Sequence, residues 1–311
     1  MKVTVIGAGN VGATTANVLA TKDFLKEVVL VDIKKGVAEG KALDIWESGP
    51  ILGFSTKVYG VTDDYEATAG SDVVVITSGV PRRPGMSRDD LIETNAKIVK
   101  EVAQKAIKYS PDAILVVVSN PLDVMTYVAW KATGLPTNRV MGMAGALDTA
   151  RYRTFIADAA GVSPKDVQAM LMGGHGDSMV PLPRYTTING IPVTEFIDNE
   201  TLDKIVERTR FGGGEIVNLL GVSAWYAPGA SAALMVETIL KDEKRIIPTS
   251  AYLNGEYGFS GFFMGVPVLL GRNGVEKIIE LDLTPEEMEL VKKSAEHVKS
   301  LVDVVHKMGV V

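Results

Sequence analysis

Short apolar runs alternate with longer stretches of helical spacing through the first half of the chain. The apolar runs are rich in β-branched residues: Val3–Ile6, Val28–Val31, Val73–Thr77 and Ile114–Val118. Between them, apolar residues recur with helical periodicity, as in Val11–Ala20 and Leu91–Ile107. Unbroken apolar strands that alternate with helices are typical of a parallel sheet covered on both faces. We therefore predict an α/β fold with a doubly wound parallel sheet and right-handed crossovers.

The pattern changes after about Ala146. Helical stretches now mix with short strands and with the polar turns Asn189-Gly190 and Asn254-Gly255. Such turns suit hairpins, because asparagine and glycine tolerate the positive φ that hairpin turns need. We predict two closely packed domains, residues 1–146 with the parallel sheet and residues 147–311 with an α+β fold.

The clearest helix signal lies near the C-terminus. Thr284 can cap the helix, Pro285 fits its first position, and Glu287 completes a capping box. The apolar residues that follow form one stripe, which predicts packing against the core. A second helical stretch, Asp203–Leu220, contains Gly212-Gly213-Gly214. The sequence leaves open whether these glycines mark a kink or a close approach of another helix.

Composition narrows the chemistry. The chain has 311 residues, of which 46% are hydrophobic and 23% charged, as in globular proteins. It has no cysteine, which excludes disulfides, thiolate nucleophiles and cysteine-bound zinc. The three histidines are His175, His297 and His306, and the last two lie among charged residues of the last helix, where we expect solvated side chains. A net charge of −6 argues against a nucleic-acid binder.

No apolar run reaches the length of a membrane span, and the chain opens directly on a strand pattern rather than on a targeting segment. We therefore expect a cytoplasmic protein without a membrane partner.

The first strand runs into a glycine-rich sequence, Gly7-Ala8-Gly9-Asn10-Val11-Gly12. Strand, G-x-G-x-x-G and helix in this order predict a dinucleotide-binding turn. Gly7 allows the tight turn, Gly9 lets the backbone approach a pyrophosphate, and Gly12 lets the helix pack on the strand. The alternative is a structural glycine turn.

The second strand ends at Asp32, twenty residues beyond Gly12. A carboxylate there can accept hydrogen bonds from the adenosine ribose and would repel a 2′-phosphate, which favours NAD over NADP. Lys34 and Lys35 could partly offset that repulsion.

A basic loop follows the third of the apolar runs and contains Arg82, Arg83 and Arg88. Loops at the carboxyl ends of strands line the ligand crevice of such sheets, and guanidinium groups bind carboxylates bidentately. Composition alone allows either a solvated basic loop or an anion-binding lid.

A second candidate group surrounds His175, which glycines flank on both sides and so leave approachable. Asp148 and Arg151 share a helical face, a pattern that is commonly a surface ion pair. Spacing alone does not decide whether Asp177 or Asp148 orients the imidazole.

Five motifs, in order and spacing, resemble the lactate/malate dehydrogenase family over essentially the whole chain. They are Gly7–Gly12 with Asp32, Arg82–Arg88, Ser119-Asn120-Pro121, Leu147–Arg151 and Gly173–Asp177. The resemblance is strongest to the bacterial malate dehydrogenases that are built like lactate dehydrogenases. It implies NAD as cofactor, no metal, and these cofactor-binding residues: Gly7, Gly9, Asn10, Val11, Gly12, Asp32, Asn95, Ser119 and Asn120.

The resemblance also implies roles in catalysis. His175 would be the general acid/base, and Asp148 would accept a hydrogen bond from its other ring nitrogen. Arg151 would hold the carboxylate beside the reacting carbon. Arg88 would polarise the substrate carbonyl, and Asn120 would bind near substrate and nicotinamide.

Arg82 occupies the position at which lactate-specific relatives carry a glutamine. A second guanidinium implies a second carboxylate, and therefore reversible hydride transfer between (S)-malate and NAD to give oxaloacetate and NADH. By the same resemblance Arg83 would point away from the substrate, and Val80–Asp90 would close over it. The helix at about Val37–Trp46 would form part of a dimer face, with Ala38, Ala42, Ile45 and Trp46 as its apolar side, in a homodimer or homotetramer.

Three other functions remain open at this point. One is a lactate or broad-specificity 2-hydroxyacid dehydrogenase. Another is an NAD-dependent glycoside hydrolase with a metal site, against which the absence of cysteine and the isolation of His175 from other histidines count. The third is a non-catalytic NAD-binding sensor.

Overall fold

The computed structural model describes residues 1–81 and 87–311, apart from the side chain of Arg88. Fourteen strands are found in these ranges: β1 (Lys2–Ile6), β2 (Glu27–Asp32), β3 (Lys57–Thr62), β4 (Val73–Ile76), β5 (Ile114–Val117), β6 (Val140–Gly142), β7 (Val167–Gln168), β8 (Leu171–Met172), β9 (Val180–Pro181), β10 (Thr187–Ile188), β11 (Ile191–Pro192), β12 (Arg245–Asn254), β13 (Ser260–Gly271) and β14 (Gly274–Ile278).

The α-helices of the same ranges are α1 (Asn10–Thr21), α2 (Val37–Glu47), α3 (Gly49–Leu52), α4 (Arg88–Tyr109), α5 (Leu122–Thr133), α6 (Gly145–Ala160), α7 (Asn199–Leu220), α8 (Tyr226–Leu240) and α9 (Pro285–Lys307). Short 3-10 turns lie at Glu66–Thr68, Thr137–Arg139, Pro183–Tyr185, Val193–Glu195 and Glu256–Gly258. In the described part of the chain, no helix is long and apolar enough to cross a membrane.

The central sheet has nine strands in the order β14-β13-β12-β6-β5-β4-β1-β2-β3. Strands β1 to β6 are parallel, so the predicted doubly wound α/β architecture is confirmed. The four predicted strands are β1, β2, β4 and β5. Strand β6 has three residues and β3 lies at the sheet edge, so neither carries a long apolar run.

The second half of the chain is α+β, as predicted, but it is not built on a separate sheet alone. Its longest strands, β12 and β13, form a hairpin that pairs antiparallel with β6 and extends the first sheet. Ser250 lies opposite Gly142, where a Cβ would come 2.9 Å from the Ser250 Cβ. The small residue lets the two strands meet, so one hydrophobic core joins both halves.

Two turn and helix predictions are confirmed in detail. Asn189 and Gly190 adopt positive φ values of 49° and 85° between β10 and β11. At the start of α9, the hydroxyl of Thr284 accepts from the N–H of Glu287, whose carboxylate accepts from the N–H of Thr284. The buried face of α9 contains the expected stripe: Val291, Ala295, Val298, Val302 and Val305.

Helix α9 also carries the two histidines that we expect to be solvated. His306 is exposed, but its Nε2 lies 3.0 Å from the hydroxyl of Tyr127, so this ring is held against α5. His297 is half-buried. The expected exposure is therefore found for His306, whereas His297 is only partly exposed.

Candidate active site

The glycine-rich turn joins β1 to α1 at the carboxyl edge of the parallel sheet. Gly7 has a φ of +100°, and a Cβ there would lie 2.8 Å from Thr77 Oγ1. A Cβ on Gly12 would lie 1.9 Å from the Gly7 carbonyl oxygen. Two of the three glycines are therefore required by the chain's own packing, as the motif predicts.

Gly9 differs from the other two glycines. It has a φ of −66°, which any residue adopts, and a Cβ there would meet no described atom within 4 Å. No side chain caps the first turn of α1 in the described structure, so its N–H groups face outward from Asn10 and Val11. An open surface above outward-facing N–H groups fits a dinucleotide pyrophosphate.

Asp32 is held beside this turn by two main-chain hydrogen bonds. Its Oδ2 accepts from the N–H of Ala8 at 2.8 Å, and its Oδ1 accepts from the N–H of Lys34 at 2.9 Å. The carboxylate is half-exposed at the end of β2. It therefore holds the loop through its main-chain bonds and remains partly exposed at the end of β2, which fits an acceptor for ribose hydroxyls.

The other predicted cofactor residues brace the loops that follow β4 and β5. Asn95 is buried, accepts from the N–H of Val80 at 2.8 Å, and donates to the carbonyl of Asn120 at 2.7 Å. The hydroxyl of Ser119 donates to the carbonyl of Ser78. Asn95 and Ser119 thus act on the loops through main-chain contacts, whereas Asn120 itself is exposed at the edge.

His175 lies in a loop that strand β13 and helix α9 hold in place. Gly173 pairs with Gly265 of β13, and the N–H of Gly174 donates to Ser294 Oγ of α9 at 2.8 Å. A Cβ on Gly174 would lie 2.6 Å from Val298 Cγ2. These two glycines are therefore packing positions, rather than residues that only leave the imidazole approachable.

The ring of His175 bonds to Asp148. Nδ1 of His175 lies 2.8 Å from Oδ2 of Asp148, while Asp177 is exposed. The other carboxylate oxygen, Oδ1, accepts from Nη1 of Arg151 at 3.2 Å. The side chains of His175, Asp148 and Arg151 are 21%, 4% and 14% exposed, so one buried carboxylate joins an imidazole and a guanidinium that both reach solvent.

The proton affinity of His175 depends on these neighbours. Burial lowers the pKa of His175, but the charge and hydrogen bond of Asp148 raise it, and the net pKa lies above the ordinary value. The charge of Asp123 adds to the increase, whereas that of Arg151 opposes it. The imidazole can therefore hold a proton against partial burial, as a general acid must.

Asp123 is a functional candidate that the motif analysis misses. Its Oδ2 accepts from the main-chain N–H of His175 at 2.9 Å, and its Oδ1 accepts from the hydroxyl of Ser250 at 2.7 Å. Burial raises the pKa of this carboxyl above its ordinary value, while those two hydrogen bonds oppose the increase. The available signal is an acid in the first turn of α5 among apolar neighbours.

The predicted anion-binding loop lies partly outside the described residues. This applies to Arg82 and Arg83, and the side chain of Arg88 is also not described. Ser87 caps α4 through a capping box with Asp90, so the backbone of Arg88 begins this helix.

These residues converge at one edge, as the sheet geometry requires. Strands β1, β2, β4 and β5 end there in the glycine turn, Asp32, Thr77 and Ser119, and α6 begins there with Asp148 in its first turn. Within the described ranges, no group of three or more histidine, aspartate or glutamate side chains could hold a metal ion. The arrangement can bind a dinucleotide, fix an anion and transfer a proton.

Comparison with known proteins gives a consistent picture. Residues 1–142 match the lactate/malate dehydrogenase NAD binding domain, and residues 145–308 match the lactate/malate dehydrogenase alpha/beta C-terminal domain. A malate dehydrogenase from Cytophaga hutchinsonii is 62% identical over 98% of this chain and 97% of its own length.

Solved structures agree with the sequence relatives. A malate dehydrogenase from Salinibacter ruber superposes with a TM-score of 0.95 at 59% identity and covers 99% of this chain and 98% of its own. A lactate dehydrogenase from Cryptosporidium parvum, solved with lactic acid and nicotinamide adenine dinucleotide, superposes with a TM-score of 0.94 at 43% identity and covers 98% of each chain. The fold is thus shared by enzymes named for two different substrates.

Proposed function

The chain belongs to the lactate/malate dehydrogenase family, and on that premise we propose that it interconverts (S)-malate and oxaloacetate with NAD and NADH. The observation that carries the proposal is the Asp148 carboxylate, which joins the imidazole of His175 to the guanidinium of Arg151. An acid–base group and a carboxylate-binding group are thereby held side by side, next to an NAD binding domain.

Bound NAD supplies the hydride acceptor for the alcohol, and NADH supplies the hydride donor for the ketone. In the oxidation direction, Nε2 of His175 takes the proton of the substrate hydroxyl, while Nδ1 keeps its bond to Asp148. In the reduction direction the protonated ring returns that proton to the forming alcohol. Arg151 binds the carboxylate beside the reacting carbon, and Arg88 polarises the carbonyl.

Substrate choice depends on Arg82 in this proposal. A guanidinium that faces the far end of the substrate pairs with the second carboxylate of oxaloacetate and stays unpaired with pyruvate. Rejection through unmet polar groups in a closed site can reach about 10⁴–10⁵-fold. The alternative, a lactate or broad-specificity 2-hydroxyacid dehydrogenase, rests on the similarity to the Cryptosporidium lactate dehydrogenase, whose 43% identity is below the 59% of the Salinibacter malate dehydrogenase.

One assay decides between these two substrates. NADH oxidation is measured with oxaloacetate and pyruvate side by side, and we expect kcat/KM to favour oxaloacetate. A preference for pyruvate would overturn the assignment of Arg82. We expect Arg82→Gln to lower oxaloacetate turnover and to reduce the ratio of kcat/KM for oxaloacetate to that for pyruvate. An unchanged ratio would mean that Arg82 does not bind the substrate.

The other functional classes are separated by two further measurements. Enzymatic activity that survives exhaustive removal of metal ions by a chelator would exclude a metal-dependent glycoside hydrolase. Near-normal NADH oxidation by His175→Asn would contradict the acid–base role of His175, while a chain that binds NAD without turning over any 2-oxoacid would favour a sensor.

We also propose that the chain acts as a homodimer or homotetramer in the cytoplasm. Ala38 and Ala42 of α2 are buried in the chain's own core, but Leu43, Trp46 and Ile51 are 52%, 46% and 86% exposed on α2 and α3. Large apolar side chains exposed together favour contact with a second copy. We expect Trp46→Asp to shift the mass measured by light scattering toward the monomer, and an unchanged oligomer would place the interface elsewhere.

The division of labour follows the two halves of the chain. We propose that residues 1–146 bind NAD and that residues 147–311 supply His175, Asp148 and Arg151 to the substrate. Support comes from the position of the helix α6, whose first turn carries Asp148 where the parallel strands end.

A further inference from the structure

Three consecutive glycines, Gly212–Gly214, lie in the second half of α7, and the helix continues through them from Asn199 to Leu220. Apart from proline, glycine is the least favourable residue for a helix interior. Helix propensity therefore does not explain why three glycines lie in a continuous helix, and another cause is needed. Of the two possibilities that the sequence leaves open, the contacts at Gly212 support the close approach of another helix, since Arg151 and Phe155 of α6 lie against it.

The three positions face different surroundings. A Cβ on Gly212 would lie 3.2 Å from Cδ and 3.7 Å from Nε of Arg151. A Cβ on Gly213 would lie 3.8 Å from Nη2 of Arg151, which is an ordinary contact, and a Cβ on Gly214 would meet no described atom within 4 Å. The steric requirement for glycine is thus confined to the position against the stem of Arg151.

Arg151 is held from a second direction by its own helix. Its Nη1 donates to Oδ1 of Asp148 at 3.2 Å, and that carboxylate also binds the ring of His175. The guanidinium therefore lies between Asp148 and the glycine-containing segment of α7. The side chain of Arg151 packs directly on the surface of α7 at Gly212. The surface of α7 therefore limits how far the guanidinium can lie from the substrate.

We propose that Gly212 is a positioning residue for substrate binding, because its missing Cβ leaves a notch in α7 that seats the side chain of Arg151. This rests on the proposed role of Arg151 as the group that binds the substrate carboxylate. A methyl group in the notch pushes Cδ of Arg151 by a few tenths of an ångström and carries the guanidinium out of line with that carboxylate.

The test compares Gly212→Ala with the matched variant Gly214→Ala. Both replace glycine by alanine in one helix, so both gain helix propensity, and we expect neither to lower the melting temperature. We expect Gly212→Ala to raise the KM for oxaloacetate about tenfold, since a misplacement of ~1 Å can cost ~10²-fold. The kcat and the Kd for NADH change less, and Gly214→Ala keeps wild-type values.

Two outcomes would overturn the proposal. One is a KM of Gly212→Ala equal to that of Gly214→Ala. The other is an equal loss of NADH affinity and kcat in Gly212→Ala, which would indicate a general distortion of α7.

Failure of the proposed function has a different signature. The unsubstituted chain would then fail to reduce oxaloacetate, and the notch would be tested by calorimetry with malonate as the dicarboxylate, added to the NADH complex. Weaker malonate binding in Gly212→Ala than in Gly214→Ala supports the seating of Arg151 independently of turnover, and equal binding contradicts it.

Discussion

Nδ1 of His175 lies 2.8 Å from Oδ2 of Asp148, and this carboxylate is nearly inaccessible to solvent. A hydrogen bond at this atom fixes which ring nitrogen carries the proton toward Asp148 and which is left for the substrate. Burial lowers the pKa of His175, but the charge and hydrogen bond of Asp148, together with the charge of Asp123, keep it above its ordinary value. Asp148 therefore orients the imidazole and is also the neighbour that raises its proton affinity most.

We expect Asp148→Asn to lower kcat/KM by about 10²–10⁴-fold, as for other acid–imidazole pairs. Without the negative charge, burial lowers the pKa of His175. Oxaloacetate reduction needs the protonated ring, so activity present below that pKa is lost as pH rises through it, and the loss moves to lower pH. A pH profile of kcat/KM checks this, and an unshifted profile would mean that Asp148 does not set the proton affinity.

The fold of the NAD-binding half was predictable because the local sequence signals for its strands, turns and helices agree with its tertiary packing. Gly7 and Gly12 are required by backbone contacts that follow directly from a tight strand–turn–helix connection. The extension of the sheet by β12 and β13 was not predictable, because it depends on a single pairing between Ser250 and Gly142. Nothing in the hydrophobic pattern of either segment specifies that partner.

In the site, too, some features follow from local sequence signals and others depend on tertiary packing. The motif around His175 identifies the imidazole, but distance in sequence cannot rank Asp148 against Asp177, since only the packing of α6 against the loop brings one of them to Nδ1. Asp123 was missed because its bond to the main-chain N–H of His175 joins residues 52 positions apart, and no local spacing marks such a contact.

Replacement of Asp123 separates its charge from its hydrogen bonding. We expect Asp123→Asn to keep an acceptor for the N–H of His175 while removing a charge that raises the pKa of His175, so the pH profile shifts in the same direction as in Asp148→Asn but by less. Asp123→Leu leaves a buried N–H without its acceptor, which costs about 1–3 kcal/mol of stability.

Ser250→Ala is the matched comparison, because it keeps the carboxyl group of Asp123 and removes only the hydrogen bond that opposes the increase in its pKa. Steady-state pH profiles and thermal unfolding measure the two effects. A pH profile that shifts in neither Asp123→Asn nor Ser250→Ala would show that the charge of Asp123 does not act on His175.

The glycine turn offers a pair of substitutions that distinguishes folding from cofactor binding. We expect Gly12→Ala to destabilise the chain, because its Cβ would lie 1.9 Å from the Gly7 carbonyl oxygen. Gly9→Ala should fold as the wild type does, since its φ of −66° suits alanine and no described atom lies within 4 Å.

In Gly9→Ala the methyl group meets the bound dinucleotide instead, and we expect the Kd for NADH to rise about tenfold or more, equivalent to ~1.4 kcal/mol. Fluorescence titration with NADH, together with the melting temperature, checks the pair. Wild-type affinity in a stable Gly9→Ala variant would place the pyrophosphate away from this turn.

The preference for NAD over NADP should depend on the charge of Asp32. This half-exposed carboxylate accepts from the N–H groups of Ala8 and Lys34, so its position at the end of β2 is fixed before any ribose arrives. A 2′-phosphate placed beside it meets like charge, which costs several kcal/mol in a partly desolvated site. We expect Asp32→Asn to lower the ratio of kcat/KM for NADH over NADPH by about 10-fold or more, with Lys35 then free to attract the phosphate.

Asp32→Glu keeps the charge and should keep the preference, so a ratio that falls equally in both variants would show that loop geometry, rather than repulsion, selects the cofactor.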